Sequence, residues 1–505
     1  MIIYNINFGI GWASSGVEYA QSYRAQLLRG LNIPMKFVFL EFINNENIQT
    51  LTENIGFQDD EVIWLYQYFT DIPIAPTTYT VSDIIESVAE PIVEVIDEGK
   101  VRRLFLNDKQ DFITCYLKNE GSEIVDRAEF VVNGMLVRKD YYSYVRTYSE
   151  YYAPKDNAAK LYMRHFYNED GSVAYTEHID GETNLYAFPD QKFYSREAFV
   201  AYFIQQLNIL AEDIIILDRA TDVGQAILQN AGEGKIGVVV HAEHFSEHAM
   251  DEYHILWNNY YEYQFENHKE IDFFITATDR QNEILTAQFR KYYDATPRIV
   301  TIPVGSVHEL KHPKTQRRPY AMISASRLAT EKHVDWLVRA AIIAKRSVPE
   351  LQFDIYGEGG QKEVLQNLID QHQAHDYIHL KGHVNLDDVY VDYQLFVSAS
   401  TSEGFGLTLL EAVGSGLGMI GFDVNYGNPT FIRDQKNGYL IPIDVKEEST
   451  NTIVERYARQ IVQFFNQGPK QPHRMSYELA RPYLTPDIQQ KWQDLIEEMT
   501  QHAIV

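Results

Sequence analysis

One short glycine-rich stretch holds the residues best suited to chemistry. Glu403 and Glu411 stand eight residues apart, with Gly404 and Gly406 next to the first of them. An apolar run typical of a buried strand precedes these glycines, and a helical pattern starts near Leu407. A glycine turn between strand and helix collects backbone N–H groups and the positive helix end, which attract an anion. A helical rise throughout would place both carboxylates on one side, about 12 Å apart. This arrangement predicts a ligand with phosphate and hydroxyl groups, such as a nucleotide-sugar.

Two cations follow another predicted strand. Arg327 and Lys332 are five residues apart at the junction between the strand at 321–323 and the next helix. An Arg offers a bidentate fork and a Lys a point charge, so the two side chains can converge on one diphosphate. Plain alternatives stay open for both motifs. The cations could be solvated surface charges, and Glu403 could cap the amides of its own helix.

A third candidate is histidine-rich. The apolar strand predicted at 236–240 ends in His241-Ala-Glu-His244. Functional groups collect at the carboxyl ends of strands in open α/β sheets. We favour His241 as a group directed at a sugar or its leaving phosphate. A metal site built on His-x-x-His and a purely structural histidine are the alternatives.

The chain opens with a further phosphate-type loop. A strand at 2–7 leads into a glycine-rich loop, and a helical pattern begins around Gly16. Strand, loop and helix in this order resemble the phosphate approach of a Rossmann-like half, although the spacing is not Gly-x-Gly-x-x-Gly. The alternative is a loop that only turns the chain.

Length and composition set outer bounds. A chain of 505 residues predicts two or three domains. The net charge of −27 argues against non-specific binding to nucleic acid or anionic membranes. The single cysteine, Cys115, lies in a strand pattern, so we expect a buried apolar role and a reducing, intracellular setting. We also expect neither a signal peptide nor a membrane span.

Between Lys100 and Phe193 the pattern changes to short β runs. Asn-Gly and Asp-Gly between alternating runs predict hairpins, hence an antiparallel meander inserted into an α/β protein. An exposed face rich in tyrosine, together with the sheet edges, would suit a protein partner or an extended peptide. The alternative is a structural appendage. The predicted strands are 101–106, 112–117, 124–132, 135–139, 141–148 and 161–166, with turns at 107–108, 119–121, 133–134, 169–171 and 180–181.

The motifs Glu403-x7-Glu411 and Arg327-x4-Lys332 resemble those of retaining glycosyltransferases of family 4. The resemblance implies a GT-B fold, in which two Rossmann-like domains face a cleft, a UDP-sugar donor as substrate, and no metal or other cofactor. The predicted domains are 1–76 (N-terminal Rossmann-like domain, first part), 77–195 (inserted meander), 196–312 (second part), 313–485 (donor-binding domain) and 486–505 (a helix crossing back to the N-terminal domain).

The resemblance also implies roles for individual residues. Glu403 would lie near the sugar and Glu411 would hold the ribose, while the backbone at His383 and Val384 would pair with uracil. The implied catalytic residues are Glu403, His241, Arg327 and Lys332. The implied donor-binding residues are Gly16, Val17, Glu18, Tyr19, His383, Val384, Gly404, Phe405, Gly406 and Glu411.

Several further stretches resemble one group within this family. These are the opening residues 4–20, His241-Ala-Glu-His, Trp257-Asn-Asn-Tyr-Tyr and Thr278-Asp-Arg-Gln-Asn. The group comprises catalytic subunits that begin O-glycosylation of serine-rich repeat adhesins in bacteria with an accessory Sec system. The resemblance implies transfer of N-acetylglucosamine, or glucose, to Ser or Thr. It also implies a catalytically inactive, related subunit bound through the meander, and a cytoplasmic location with at most peripheral membrane contact. A lipid or glycan acceptor, and a non-catalytic chaperone, are the competing hypotheses.

Overall fold

The structure is a computed structural model that describes residues 1–11, 16–106, 110–156 and 158–501, with only the backbone of the last residue. The turn predicted at Asn107-Asp108 and part of the first glycine-rich loop lie outside these ranges. The chain divides into two compact units, and the division falls inside one strand and inside the last helix. Unit one comprises 1–238, 262–272 and 499–505, and unit two comprises 239–261 and 273–498. The domain boundaries inferred from the sequence stay predictions.

Unit one contains a parallel sheet and an antiparallel sheet. Its strands are β1 (Ile3–Asn7), β2 (Met35–Phe39), β3 (Val62–Trp64), β4 (Ile92–Glu98), β5 (Val101–Leu106), β6 (Phe112–Leu117), β7 (Val125–Val132), β8 (Met135–Tyr142), β9 (Arg146–Lys155), β10 (Ala158–Tyr167), β11 (Val173–Asp180), β12 (Thr183–Ala187), β13 (Lys192–Phe193), β14 (Ile214–Leu217) and β15 (Lys235–Val240). Its helices are α1 (Gly16–Gly30), α2 (Ile48–Asn54), α3 (Leu65–Tyr68), α4 (Val81–Ser87), α5 (Arg196–Gln206), α6 (Gly224–Asn230) and α7 (Glu262–Glu266), with 3-10 turns at Asp59–Glu61 and His268–Glu270.

The parallel strands follow the order β15-β14-β1-β2-β3. Their near-continuous apolar sequences suit strands covered on both faces. A buried polar network lies beside them. Arg24 of α1 forms two hydrogen bonds with Asp218, at 2.8 and 2.9 Å, and a third with Asn5 of β1 at 2.6 Å. The Arg24 and Asp218 side chains are almost fully buried, so this ion pair ties α1 to the end of β14.

The antiparallel sheet confirms the predicted meander. Ten strands pair in simple sequence order from β4 to β13. The predicted Asn133-Gly134 hairpin is present, with φ of 50° and 73°. One strand boundary was wrong, because β8 continues to Tyr142 and the chain turns only at 143–145. Strands β4, β11, β12 and β13 were not predicted.

The prediction of an exposed tyrosine face was also wrong. Tyr141, Tyr142 and Tyr148 are all less than 9% exposed. The Tyr148 ring lies 5.3 Å from the Phe42 ring and 6.1 Å from the Trp64 ring, both of which belong to the parallel-sheet part of the unit. The tyrosines therefore form an internal contact of unit one. Cys115 is buried as predicted, and burial raises the pKa of its thiol to about 12.

Unit two is built on a six-stranded parallel sheet in the order β22-β21-β20-β23-β24-β25. It also holds the parallel pair β18-β19 and the hairpin β16-β17. Its strands are β16 (Phe245–Met250), β17 (Ile255–Trp257), β18 (Phe273–Thr276), β19 (Ile299–Thr301), β20 (Ala321–Ala325), β21 (Gln352–Tyr356), β22 (Ile378–Gly382), β23 (Leu395–Val397), β24 (Gly418–Phe422) and β25 (Gly438–Ile441). Its helices are α8 (Asp279–Tyr293), α9 (Val334–Lys345), α10 (Lys362–Gln371), α11 (Leu407–Gly414), α12 (Gly427–Phe431), α13 (Thr450–Gln467), α14 (Pro472–Ala480) and α15 (Thr485–Gln501), with 3-10 turns at Thr330–Lys332, Tyr390–Asp392 and Arg481–Tyr483.

The core of unit two lies between this sheet and its helices. Helix α9 packs its apolar face, which includes Leu337 and Ala341, against strand residues such as Phe353 and against Tyr457 of α13. The sequence analysis expected no membrane span. Among the helices of the described ranges, none is both long and apolar enough to cross a membrane.

The buried ion pair of unit one generates a stability prediction. Asp218→Asn should lower the free energy of unfolding by about 3 kcal/mol or more, because the Arg24 cation would stay buried without a full counter-charge. Urea unfolding followed by circular dichroism measures this change. Glu98→Gln is the matched control, since the Arg103–Glu98 pair is solvent-exposed and should contribute less than about 1 kcal/mol. Equal midpoints for the two variants would contradict a structural role for the buried pair.

Candidate active site

The Glu403 turn is held by backbone hydrogen bonds. The N–H groups of Tyr426 and Gly427 donate to the carbonyl oxygen of Glu403 at 2.7 and 2.8 Å, and the N–H of Glu403 donates to Asn425 at 3.3 Å. Gly406 has a φ of 86°, a left-handed conformation that favours glycine, and α11 starts only after it. The eight-residue spacing to Glu411 is therefore not helical throughout, and the 12 Å expectation does not apply.

Lys332 approaches this turn from the loop after β20. Its Nζ atom donates to Oε2 of Glu403 at 2.8 Å, and the two side chains are 22% and 20% exposed. The structure thus brings together two of the predicted catalytic residues. A half-buried ion pair of this kind holds both groups in fixed positions while they stay accessible to a ligand.

Arg327 lies on a tightly held loop but points its charge outward. Its side chain is 73% exposed and donates to Oε1 of Glu331 at 2.8 Å. A Cβ atom on Gly357 would come 1.9 Å from the carbonyl oxygen of Ser326, so this close backbone approach requires glycine. The guanidinium therefore extends from a fixed loop into solvent, and its role in diphosphate binding stays a prediction.

The segment predicted to bind the base, His383-Val384, follows directly on a residue that is hydrogen-bonded to the Gly357 turn. The N–H of Gly357 donates to the carbonyl oxygen of Gly382 at 2.9 Å, immediately before His383 and Val384. Both of these side chains are exposed. The geometry places the segment near the Arg327 loop, and its role in base recognition stays a prediction.

Glu411 sits on α11 in a different environment from Glu403. The hydroxyl of Tyr390 donates to its Oε2 atom at 2.9 Å. Burial raises the pKa of the Glu411 carboxyl. The Tyr390 hydrogen bond and, to a smaller extent, Lys311 oppose this rise, and Asp387 adds to it. Phe405, between the two glutamates, is buried and packs edge-on against Phe431. It contributes packing to the turn.

The His241 segment contacts the Glu403 turn through its backbone. A Cβ atom on Gly404 would come 2.9 Å from the carbonyl oxygen of His241, so no larger residue fits without movement. The N–H groups of His241 and Ala242 both donate to the hydroxyl of Tyr261, at 3.0 and 3.1 Å. The end of β15 is therefore fixed beside the Glu403 turn, and the role of the His241 side chain stays a prediction.

His244 has a structural role that the sequence left open. Its Nε2 atom lies 2.8 Å from Oε1 of Gln288, and its Nδ1 atom lies 2.9 Å from the Tyr426 hydroxyl. Since Gln288 Oε1 can only accept, Nε2 carries the proton and Nδ1 accepts from Tyr426. Both ring nitrogens are thus occupied, and the metal interpretation of His-x-x-His does not fit. In the described part of the chain no group of three or more candidate metal ligands occurs.

Tyr426 and Gln288 were missed by the sequence analysis. Gln288 lies inside α8 with no local signal, and Tyr426 is distinguished only by the glycine that follows it. Together with His244 they link the His241 segment to the backbone that holds Glu403.

The remaining predicted donor-binding residues lie in unit one at the start of α1. Gly16 and Tyr19 are exposed and Val17 is buried. The Glu18 carboxylate is buried, accepts from Asn7 at 3.4 Å and pairs with Arg219 at 3.4 Å. The structure thus gives Glu18 internal partners, and the donor-binding role of these four residues stays a prediction.

Comparison with known proteins places this chain among glycosyltransferases. Residues 308–478 match the family model "Glycosyl transferases group 1", and residues 94–190 match "GtfA extended beta-sheet domain". A curated relative from Streptococcus gordonii, the UDP-N-acetylglucosamine–peptide N-acetylglucosaminyltransferase GtfA subunit, is 53% identical over 501 residues, which cover 99% of each chain.

Two solved structures are similar over the full chain. One is the pneumococcal O-GlcNAc transferase GtfA in complex with UDP and GlcNAc, with a TM-score of 0.90, 52% identity and 99% coverage of both chains. The other is a GtfA/B complex, with a TM-score of 0.96, 52% identity and coverage of 99% and 100%. These similarities, with the two parallel sheets and the separate antiparallel sheet, confirm the predicted GT-B fold class.

The burial of His244 generates a pH prediction. Burial lowers the pKa of its imidazole to about 4, against an ordinary value of 6.5. The unfolded chain therefore binds more protons than the folded chain between these values, and stability falls as pH drops through that window. Acidification from pH 7.5 to 5.0 should therefore lower the free energy of unfolding by about 2 kcal/mol through His244 alone.

The measurement is urea unfolding at both pH values for the wild type and His244→Gln. On acidification, the free energy of unfolding of the variant should fall by about 2 kcal/mol less than that of the wild type. His375→Gln is the control, because its contact with Asp370 is solvent-exposed; its loss should change stability at either pH by less than about 1 kcal/mol. A His244→Gln chain with the same pH dependence as the wild type would contradict the assignment.

Proposed function

Because this chain belongs to the family of UDP-N-acetylglucosamine–peptide N-acetylglucosaminyltransferase GtfA subunits, we propose that it transfers N-acetylglucosamine from UDP-N-acetylglucosamine to Ser or Thr. The acceptor we propose is a serine-rich repeat adhesin, and the step is the first of its O-glycosylation. The observation that carries the proposal is the contact between Lys332 and Glu403 at the glycine turn. A cation and a carboxylate side by side would suit a diphosphate next to a sugar, which is what the activity named for the relatives needs.

Charge development in the reaction explains this pairing. Cleavage of the bond between the anomeric carbon and the UDP oxygen leaves negative charge on the β-phosphate. Lys332 and Arg327 can stabilise that charge, and preorganised cations of this kind are a large source of rate enhancement. Glu403 would orient the sugar hydroxyls and stabilise positive charge at the ring. We expect no metal requirement, since these two cations supply the counter-charge.

Retention of configuration follows from attack on the leaving-group face. The acceptor hydroxyl forms the new bond to the anomeric carbon on the side from which UDP departs, and its proton passes to the departing phosphate oxygen. No protein nucleophile takes part in this scheme. His241 would contact the sugar or the phosphate, and Glu411 would accept hydrogen bonds from the ribose hydroxyls.

The extended antiparallel sheet supports a role in assembly. A solved relative forms a GtfA/B complex, and we propose a related, non-catalytic subunit as the partner of this chain. The candidate contact is the antiparallel sheet, where Val93 and Val95 of the terminal strand β4 are each at least 50% exposed. The buried Tyr141, Tyr142 and Tyr148 cannot serve this contact, which corrects the sequence-based expectation for these three residues. A cytoplasmic location would give access to the unsecreted acceptor.

A donor and acceptor panel tests the function. The chain with its partner subunit should transfer label from UDP-N-acetylglucosamine to a Ser/Thr-rich adhesin peptide, and transfer from UDP-glucose should be weaker. A total lipid extract and a glycan pool serve as competing acceptors. Label that enters lipid or glycan and not peptide would reject the peptide acceptor, and failure to consume any UDP-sugar would support the chaperone hypothesis.

A matched pair of lysine variants tests the site. Lys332→Met should reduce kcat for transfer by about 10²–10³-fold, because one preorganised cation at the leaving phosphate is lost. Lys362→Met removes a lysine from a similar ion pair of 2.8 Å with Glu358, but that pair is about half exposed. The Lys362→Met variant should retain the wild-type kcat.

Circular dichroism and the urea midpoint establish that both variants fold. Glu403→Gln, which removes the other charge of the pair, should also lose transfer while the fold survives. Wild-type kcat in both Lys332→Met and Glu403→Gln would exclude the proposed site.

A further inference from the structure

A cavity lies in unit one, between the loop after β2 and the antiparallel sheet. Its volume is about 240 Å³. The loop at 43–48 and Trp64, the last residue of β3, form one side, and residues of β6 to β9 form the other. Ligands of open α/β sheets bind outside the carboxyl ends of the strands, and this cavity adjoins the carboxyl ends of β2 and β3.

Aromatic rings make up much of the wall. The lining includes Trp64 together with Tyr116, Tyr141 and Tyr148. The hydroxyls of these tyrosines are engaged by the protein: Tyr116 with Glu129, Tyr141 with Glu150, and Tyr148 with the backbone of the 43–48 loop. The rings therefore contribute flat apolar surfaces to the cavity.

The polar groups of the lining include both an acceptor and a donor. Oδ1 of Asp126 and Nε of Arg127 are buried, and within the described residues neither has a hydrogen-bond partner. A buried polar atom without a partner costs about 1–3 kcal/mol. Glu46 is the second carboxylate of the lining. Burial raises the pKa of both carboxyl groups, and Asp126 adds to the rise at Glu46.

This combination of groups selects the chemistry of a ligand. Glu46 and Asp126 disfavour an anion. Arg127, held 4.0 Å from the Tyr116 ring centre, opposes a cation, although Glu129 pairs with its guanidinium at 3.5 Å; the cationic probe below tests this alternative. A purely apolar ligand would leave both carboxylates desolvated. The remaining class carries hydroxyl or amide groups that both donate and accept, on a body with an apolar face. The volume is below the roughly 300–1,000 Å³ of sites for drug-sized molecules, so one ring fills it.

We propose that this cavity binds a single neutral pyranose. C–H faces of the ring would pack on the aromatic wall, while its hydroxyls would donate to Asp126 and Glu46 and accept from Arg127. The further assignment, that the ring is an N-acetylhexosamine already attached to the acceptor chain, rests on the proposed function. Bound there, a modified segment would keep the acceptor on the enzyme while other Ser and Thr residues react.

Titration of the full-length chain with methyl α-N-acetylglucosaminide tests the proposal. Saturating UDP is present throughout to occupy the nucleotide site, and binding is followed by saturation-transfer NMR and calorimetry. A parallel titration of Glu403→Gln accounts for glycoside bound at the proposed active site, since a solved relative holds UDP and GlcNAc together. The wild type should bind the glycoside saturably. Asp126→Asn should weaken binding at least tenfold, because a charged acceptor is lost while the shape is kept. Glu46→Gln is a second variant with the same expectation, should Asp126→Asn fail to fold.

Three controls make the result decisive. Glu120→Gln removes an exposed carboxylate from the turn before β7 and should bind like the wild type. Lys332→Met should lose transfer and keep glycoside binding, which separates this cavity from the proposed active site. Lysine amide, a cationic probe, should not bind. No saturable glycoside binding, equal binding by the wild type and both carboxylate variants, or binding of lysine amide alone would each overturn the proposal.

Discussion

The carbonyl oxygen of Glu403 accepts hydrogen bonds from the N–H groups of both Tyr426 and Gly427. The geometry of the candidate active site depends on this pair of hydrogen bonds. They fasten the turn after β23 to the segment after β24, so the Glu403 side chain leaves a backbone that cannot rotate freely. Glycine is required at 427 because a Cβ atom there would come 2.1 Å from the carbonyl oxygen of Phe405. The direction of this candidate catalytic carboxylate is thus set by main-chain packing as well as by its own contacts.

Strand order explains why distant residues meet at this point. Strands β20, β23 and β24 are neighbours in the parallel sheet, and the loops after their carboxyl ends supply Lys332, Glu403 and Tyr426 in turn. Parallel strands place all such loops at one edge, which is where open α/β sheets build their sites. His244 adds a lateral support through the Tyr426 hydroxyl. Because the buried ring is neutral at physiological pH, it can accept this hydrogen bond without bringing a competing charge to the site.

Local residue patterns predicted most helices and strands. The features that these patterns missed are set by tertiary packing between distant residues. The start of α11 after Gly406 and the Asn133-Gly134 hairpin were predictable because glycine and asparagine adopt positive φ. The turn at 143–145 has no such residue, and a break was placed at 140 instead. Which tyrosines face inward depends on Phe42 and Trp64, which lie outside the sheet, so the dense run of tyrosines gave no indication of the buried face. Gln288 likewise reaches the site only through tertiary contact.

The charge of the whole chain and the charge of the site act over different distances. A net charge of −27 would repel an anionic nucleotide, but physiological salt limits such repulsion between exposed charges to about 8 Å. The nearest cations in the candidate site are Lys332 and Arg327, and both already have carboxylate partners, Glu403 and Glu331. These partners keep the cations in place without a ligand and limit the electrostatic cost of leaving them unpaired. A diphosphate, with more charge and more acceptor oxygens than one carboxylate, competes well for the same N–H groups. The exposed Arg327 pair should yield first, since solvent screening makes it the weaker of the two.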